Sequence, residues 1–195
     1  MQRFFDIVFS LIGLIITSPV FLIMAIIIAI DSPGGVFYKG ERIGKNGKPF
    51  KMYKFRSMIA NAPAMRAELE KYNELDGPAF KMKDDPRITK IGAFIRKTSI
   101  DELPQLVNVL KGEMSLVGPR PLPTYETEGC NEYQLQRLLV KPGLTCYWQI
   151  SGRNDISFDE WIEMDLRYVQ EASIWTDIKI LFMTVGAVLS GRGAY

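Results

Sequence analysis

Two adjacent carboxylates, Asp101 and Glu102, stand near the start of the run "TSIDELPQLVNVLKGEM" and are the strongest candidates for chemistry. The sequence contains no histidine, which excludes Ser-His-Asp and Cys-His nucleophiles and any imidazole metal site. Carboxylates, Lys, Arg, hydroxyls or a bound metal must therefore carry any reaction. Cys130 and Cys146 lack metal-like spacing and read as reduced structural thiols. In "SLVGPRPLP", prolines on both sides of Arg120 restrict the backbone and hold its guanidinium out at low entropic cost. That suits capture of a phosphate or carboxylate, although a rigid turn with a surface arginine has the same sequence. In "KMYKFRSM" the two-residue period of a strand puts Lys54 and Arg56 on one face, about 7 Å apart.

The elements that must position these groups follow from periodicity. Residues 36–43 and 49–58 around "GKNG" form a β-hairpin, Asn46-Gly47 being a strong turn signal. A charged helix is expected over 64–75. Asp85 followed by Pro86 opens a helix to about Lys97 with Ile88, Ile91 and Ile95 inward. Next, a cap at Asp101 puts Pro104 at the third helical position, where no N–H partner is needed. Leu103, Leu106, Val107 and Leu110 then form the buried stripe, and Asp101, Gln105 and Asn108 share a polar face. The acidic pair sits at the positive end of that helix dipole, which favours ionised carboxylates. A plain capped helix would look alike.

"KPGLTCYWQISGRN" reads as a turn and a strand, with Leu144, Cys146, Trp148 and Ile150 facing one way and Tyr147, Gln149 and Ser151 the other, Arg153 lying just beyond. A polar edge ending in arginine suits a nucleotide. Residues 173–190 carry a helical apolar stripe that packs on the core or lies in a membrane interface, with core packing preferred. The fold class is α+β, mainly helical with a small β-hairpin or sheet, as one domain over 32–195 behind a membrane segment over 1–31.

That segment holds no charge from Ile7 to Ile30, a helix of about 36 Å against a hydrocarbon core of about 30 Å. Pro19 interrupts it by removing an N–H and freeing the carbonyl of Ile15, and Thr17 and Ser18 offer hydroxyl donors. The residues fit either a kinked span or a helix-break-helix that enters and leaves one face. Lys39, Arg42, Lys45, Lys48, Lys51, Lys54 and Arg56 follow, opposed only by Glu41, although the whole chain is only +2. By the positive-inside tendency this places the domain in the cytosol, beside anionic head groups or phosphorylated ligands. No nucleic-acid partner is expected.

"KFRSM", "DPRITKIGAFIRKTSIDELPQLVNVLKGEMSLVGPRP" and "KPGLT" with "WQISGRN", behind an apolar segment broken at Ser18-Pro19, together resemble the bacterial sugar transferase family, the monotopic phosphoglycosyl transferases. The resemblance covers nearly the whole chain. It implies transfer of a sugar-1-phosphate from a UDP-sugar to undecaprenyl phosphate, with release of UMP, at the cytoplasmic face of the bacterial inner membrane, as the first step of polysaccharide or glycoconjugate assembly. It also implies that the Ser-Pro-broken helix is re-entrant, with both ends in the cytosol.

By the same resemblance Asp101 is the nucleophile that forms an aspartyl-phosphosugar, and Glu102 its partner in metal and proton chemistry. A carboxylate needs no histidine and is already ionised at neutral pH, so the residue reading agrees. Mg2+, or Mn2+, is implied at Asp101 and Glu102. Arg120, Arg96, Lys54 and Arg56 fall on substrate-phosphate positions, and Arg153 and Gln149 on nucleotide positions. Asp165, Tyr168 and Asp177 match tail positions without an assigned role. Many family members carry a large N-terminal multi-span region, so the chain is expected to be either a small-type enzyme or the catalytic part of a longer one. The alternative of another class is a membrane-anchored nucleotide-sugar-binding or scaffold protein. The sugar and the oligomeric state stay open, a homo-oligomer included.

Overall fold

A computed structural model describes residues 1–74, 78–151 and 156–190. Helix α1 (Gln2–Asp31) is long and apolar enough to cross a membrane by length and composition. It is followed by the hairpin β1 (Phe37–Ile43) and β2 (Pro49–Phe55), paired antiparallel from Phe37↔Phe55 to Ile43↔Pro49. The turn forms as expected, with Asn46 at φ 57° and Gly47 at φ 74°. Then come α2 (Arg66–Leu69), α3 (Lys90–Lys97), α4 (Gln105–Lys111) and β3 (Ser115–Val117). The chain continues through α5 (Thr124–Glu128), α6 (Glu132–Leu135), β4 (Gly143–Thr145), α7 (Tyr147–Ile150), α8 (Phe158–Glu171) and α9 (Ile174–Ser190). β3 and β4 form a second, parallel pair. The fold is α+β and mainly helical, as the periodicities indicate.

The segment expected as a re-entrant helix-break-helix over 1–31 is, in the structure, the one helix α1, with Pro19 inside it. The hydroxyls explain how. Ser18 donates to the Ile15 carbonyl at 2.8 Å, the acceptor that Pro19 cannot serve, and Thr17 donates to Gly13 at 2.7 Å. The helix is bonded to the domain at both ends. Near its start Gln2 donates to Asp177 at 2.8 Å, Arg3 to the carbonyls of Val109 and Leu110 at the end of α4, and Ser115 and the Leu116 amide both donate to Asp6 at 2.9 Å. At its far end Arg56 donates to the carbonyls of Ile28, Ser32 and Pro33. Met24 and Ile28 pack between these anchors with Phe55 and Ile95. Along the opposite face Phe4, Phe9, Ile15, Ile16, Leu22, Ile26 and Ile30 are exposed.

α4 lies between α1 and the hairpin, and this overturns its expected polar face. Gln105 and Asn108 are buried. Asn108 accepts from the Tyr53 amide at 2.9 Å and donates to the Lys51 carbonyl at 2.8 Å and to Glu113, so it satisfies the open edge of β2. Leu106 and Val109 join Met52, Met114, Val117, Tyr168 and Ile180 in the main core.

Three further boundaries differ. α3 starts at Lys90 with Thr89 as its cap, because the Asp85 carboxylate is taken by the Arg87 side chain in two-pronged contact. The charged helix over 64–75 shrinks to α2 and one 3-10 turn, Glu70–Tyr72. The strand expected through residue 150 stops at Thr145 and gives way to α7, which lays Trp148 on Trp161 at 4.8 Å. α9 packs on the core through Asp177 and Ile180 as preferred, yet leaves Trp175, Phe182 and Val185 exposed.

Candidate active site

α3 delivers the acidic pair. Gly92 lets this helix close on the end of the hairpin, since a Cβ there would lie 1.9 Å from the Ser57 carbonyl oxygen. The chain then reverses at Ser99, a non-glycine residue at φ 58°, which costs on the order of 1 kcal/mol. Such conformations persist where the surrounding structure fixes them, often at functional sites. The following 3-10 turn, Ile100–Glu102, points Asp101 inward, where it is 5% exposed. Asp101 makes no capping bond. Pro104 immediately precedes α4 instead, so the cap expected at Asp101 is absent and its carboxylate is released for other work.

Lys54 and Arg120 converge on the pair. Lys54 Nζ lies 2.7 Å from Glu102 Oε1 and 3.5 Å from Asp101 Oδ2, and Arg120 Nη1 donates to the same Glu102 oxygen at 2.9 Å. Burial alone would lift the Glu102 pKa, but these two cations hold it well below the usual carboxylate range. Burial pushes Asp101 up, Lys54 opposes it, and the charge on Glu102 adds to the rise. Two neighbouring carboxyls are thus driven apart: one locked in ion pairs, the other desolvated and less restrained.

Arg96 extends from α3 and donates to the Ser57 hydroxyl at 3.0 Å, with Asp101 the carboxylate that most favours its charge. A cleft of about 990 Å³ opens over these groups, lined by Arg42, Lys54, Arg96, Asp101 and Arg120 and by Trp148. Among the described residues neither Arg42 nor Arg96 is in an ion pair, so both keep positive charge facing the cleft.

The structure therefore brings Asp101, Glu102, Lys54, Arg96 and Arg120 together. Arg56 is different: it shares the cleft wall, but its guanidinium is committed to three carbonyls at the end of α1 and acts as a helix cap, which argues against the phosphate role expected of it. Gln149 lines the cleft from α7 and donates to the Leu144 carbonyl at 3.3 Å, on a helix rather than a strand edge. Arg153 lies outside the described residues. Sequence reasoning missed Arg42, visible only as part of a basic strip, and Trp148, whose alternation signalled a strand. It also passed over Arg137, which stands in no motif.

Carboxylates of opposed pKa under four cations, at the end of a helix with a bare apolar face, form a charged cleft suited to holding phosphate groups. The chain belongs to the bacterial sugar transferase family, whose model matches residues 1–191. It is 51% identical over 194 residues to the galactosyl transferase CpsE of Streptococcus agalactiae, an alignment covering 99% of this chain and 43% of that protein. It is 47% identical over 207 residues to the undecaprenyl-phosphate galactose phosphotransferase of Salmonella typhimurium, covering all of this chain and 42% of that protein. The exopolysaccharide production protein ExoY of Sinorhizobium fredii is 42% identical over 198 residues, and there the chain covers 88% of the relative. The chain thus spans less than half of the first two relatives and most of the third.

Proposed function

We propose that the chain is a glycosyl-1-phosphate transferase that moves a sugar-1-phosphate from a UDP-sugar to undecaprenyl phosphate and so starts the assembly of a polysaccharide or glycoconjugate. A carboxylate oxygen of Asp101 attacks the β-phosphorus, the bond to the bridging oxygen breaks, and UMP leaves with that oxygen. An oxygen of the lipid phosphate then attacks the phosphorus of the aspartyl-phosphosugar, the Asp101–phosphorus bond breaks, and undecaprenyl-diphosphate-sugar departs. The observation that carries this reading is the placement of Asp101: desolvated, free of any cap, and beside Lys54, while Glu102 absorbs the strongest ion pairs. Arg96, Arg120 and Arg42 supply positive charge for the two phosphates.

Among the described residues no three acidic or cysteine side chains come together, but two adjacent carboxylates suit Mg2+ or Mn2+, which complete their shells with water and substrate phosphate. Held by Asp101 and Glu102, such an ion would neutralise phosphate charge.

The test is UMP release across a panel of UDP-sugars, with and without undecaprenyl phosphate. One sugar should give UMP and a lipid-linked product. A nucleotide-sugar-binding or scaffold module would release none, and a phosphohydrolase would form product without the lipid.

In this reading α1 is re-entrant, with its ends and the domain on the cytoplasmic face and its bare face in lipid. Support comes from its anchoring, since Gln2 and Ile28 are bonded to one domain at opposite ends of the helix. A cysteine at position 2, with Cys130 and Cys146 replaced, should resist a membrane-impermeant thiol reagent in intact cells and react after lysis. Labelling in intact cells would establish a span instead.

A further inference from the structure

The segment Pro119-Arg120-Pro121 poses a structural problem. Its prolines have no N–H, so it cannot be held by a conventional ladder of amide donors. It is held by its carbonyls instead: the Gly143 amide donates to Pro119 at 3.0 Å and the Ile43 amide to the adjoining Leu122 at 3.0 Å. The Arg120 carbonyl is taken by a side chain, Arg137, at 2.7 Å. Arg137 is 3% exposed and would be an uncompensated buried charge but for Asp165 of α8, 0% exposed, 2.5 Å from the same nitrogen.

A second path joins the same two arginines through their side chains. The Arg137 guanidinium lies over the Trp161 ring at 5.3 Å, Trp161 stacks on Trp148 at 4.8 Å and 26°, and the Arg120 guanidinium lies over Trp148 at 5.4 Å. Cation, indole, indole and cation form a ladder, closed on its other side by the hydrogen bond to the Arg120 backbone. Beyond the ladder, the Arg120 guanidinium reaches Glu102 at 2.9 Å.

We propose that Arg137, Asp165, Trp161 and Trp148 are positioning residues that fix the Arg120 guanidinium for phosphate capture, Asp165 orienting Arg137 and the stacked indoles setting the plane of Arg120. None of the four is asked to touch the reacting phosphorus. The proposal rests on the reading of Arg120 as a phosphate-binding group.

A double-mutant cycle tests it. Arg120→Lys keeps the charge but loses the planar fork, and kcat/KM should fall tenfold or more. Asp165→Asn in the parent should fall by a similar factor, yet change activity less than twofold in the Arg120→Lys background. Equal losses in both backgrounds would mean general loss of structure and overturn the proposal, as would an Asp165→Asn variant within twofold of the parent. Trp148→Leu, which leaves the buried ion pair intact, runs through the same cycle should Asp165→Asn fail to fold, with the same two outcomes decisive. Each variant is assayed well below its melting temperature. The cycle is repeated on the calorimetric affinity for UDP, where the same non-additivity is expected. Positioning can therefore fail while the transferase reading stands. A protein that releases no UMP, but whose UDP affinity shows the non-additive pattern, would lose the transferase reading and keep the positioning.

Discussion

Asp101→Asn should release no UMP while folding at least as well as the parent. The amide cannot form an acyl-phosphate, so the covalent route closes at its first step. The fold has little to lose. Asp101 caps no helix, and its closest cation, Lys54, bonds more tightly to Glu102. Burial raises the Asp101 pKa, so ionising this carboxylate costs the folded state more than it costs the unfolded chain. A neutral isostere removes that cost, and the melting temperature should be unchanged or higher, as happens where activity and stability compete. A folded variant with near-parental UMP release would refute covalent catalysis at Asp101.

Turnover should vanish in excess EDTA and return with Mg2+ or Mn2+. The reason lies in how the cations of the site are already engaged. Lys54 and Arg120 share one oxygen of Glu102, so much of their charge is balanced before a diphosphate arrives. Arg96 and Arg42 remain, and in the proposed reaction they face a nucleotide diphosphate, a lipid phosphate and an attacking carboxylate. With no histidine in the chain, the donors are hard oxygens, which select hard divalent ions over softer metals. Full activity in chelator would show that the arginines suffice alone.

The sequence was most legible where one local signal decided the outcome. Asn46-Gly47 can take left-handed conformations at low cost, and the hairpin formed around it. The adjacent acids and the proline-flanked arginine were found because their spacing is unusual in itself. Legibility failed where a tertiary partner overrode a local preference. Asp85 is a good cap until Arg87 takes its carboxylate, so helix α3 is capped by Thr89 and starts at Lys90 instead. Helical periodicity put Asn108 on a polar face, but nothing in α4 announces the open edge of β2 that buries it there. Lys54 and Arg56 are expected on one strand face, yet β2 ends at Phe55 and one meets the acidic pair while the other meets the end of α1, a distinction that depends on where other elements stop. Trp148 alternates like a strand residue, and only Trp161, on another helix, explains why it sits on a helical turn.

The anchoring of α1 has a consequence for how the protein is made. Gln2 and the Asp177 to which it is bonded are 175 positions apart. At roughly 5–20 residues per second, the ribosome needs on the order of ten seconds or more to supply the second after the first. Until Tyr168 and then Asp177 are made, the Gln2 side chain lacks the partners it bonds in the fold, while the apolar run behind it is already complete. The lipid-seeking surface is thus offered before the domain that will hold it exists. In the re-entrant reading the bilayer receives this helix first, and the catalytic domain condenses onto a helix already lodged there. Helix α9 closes the structure by returning to the start of α1.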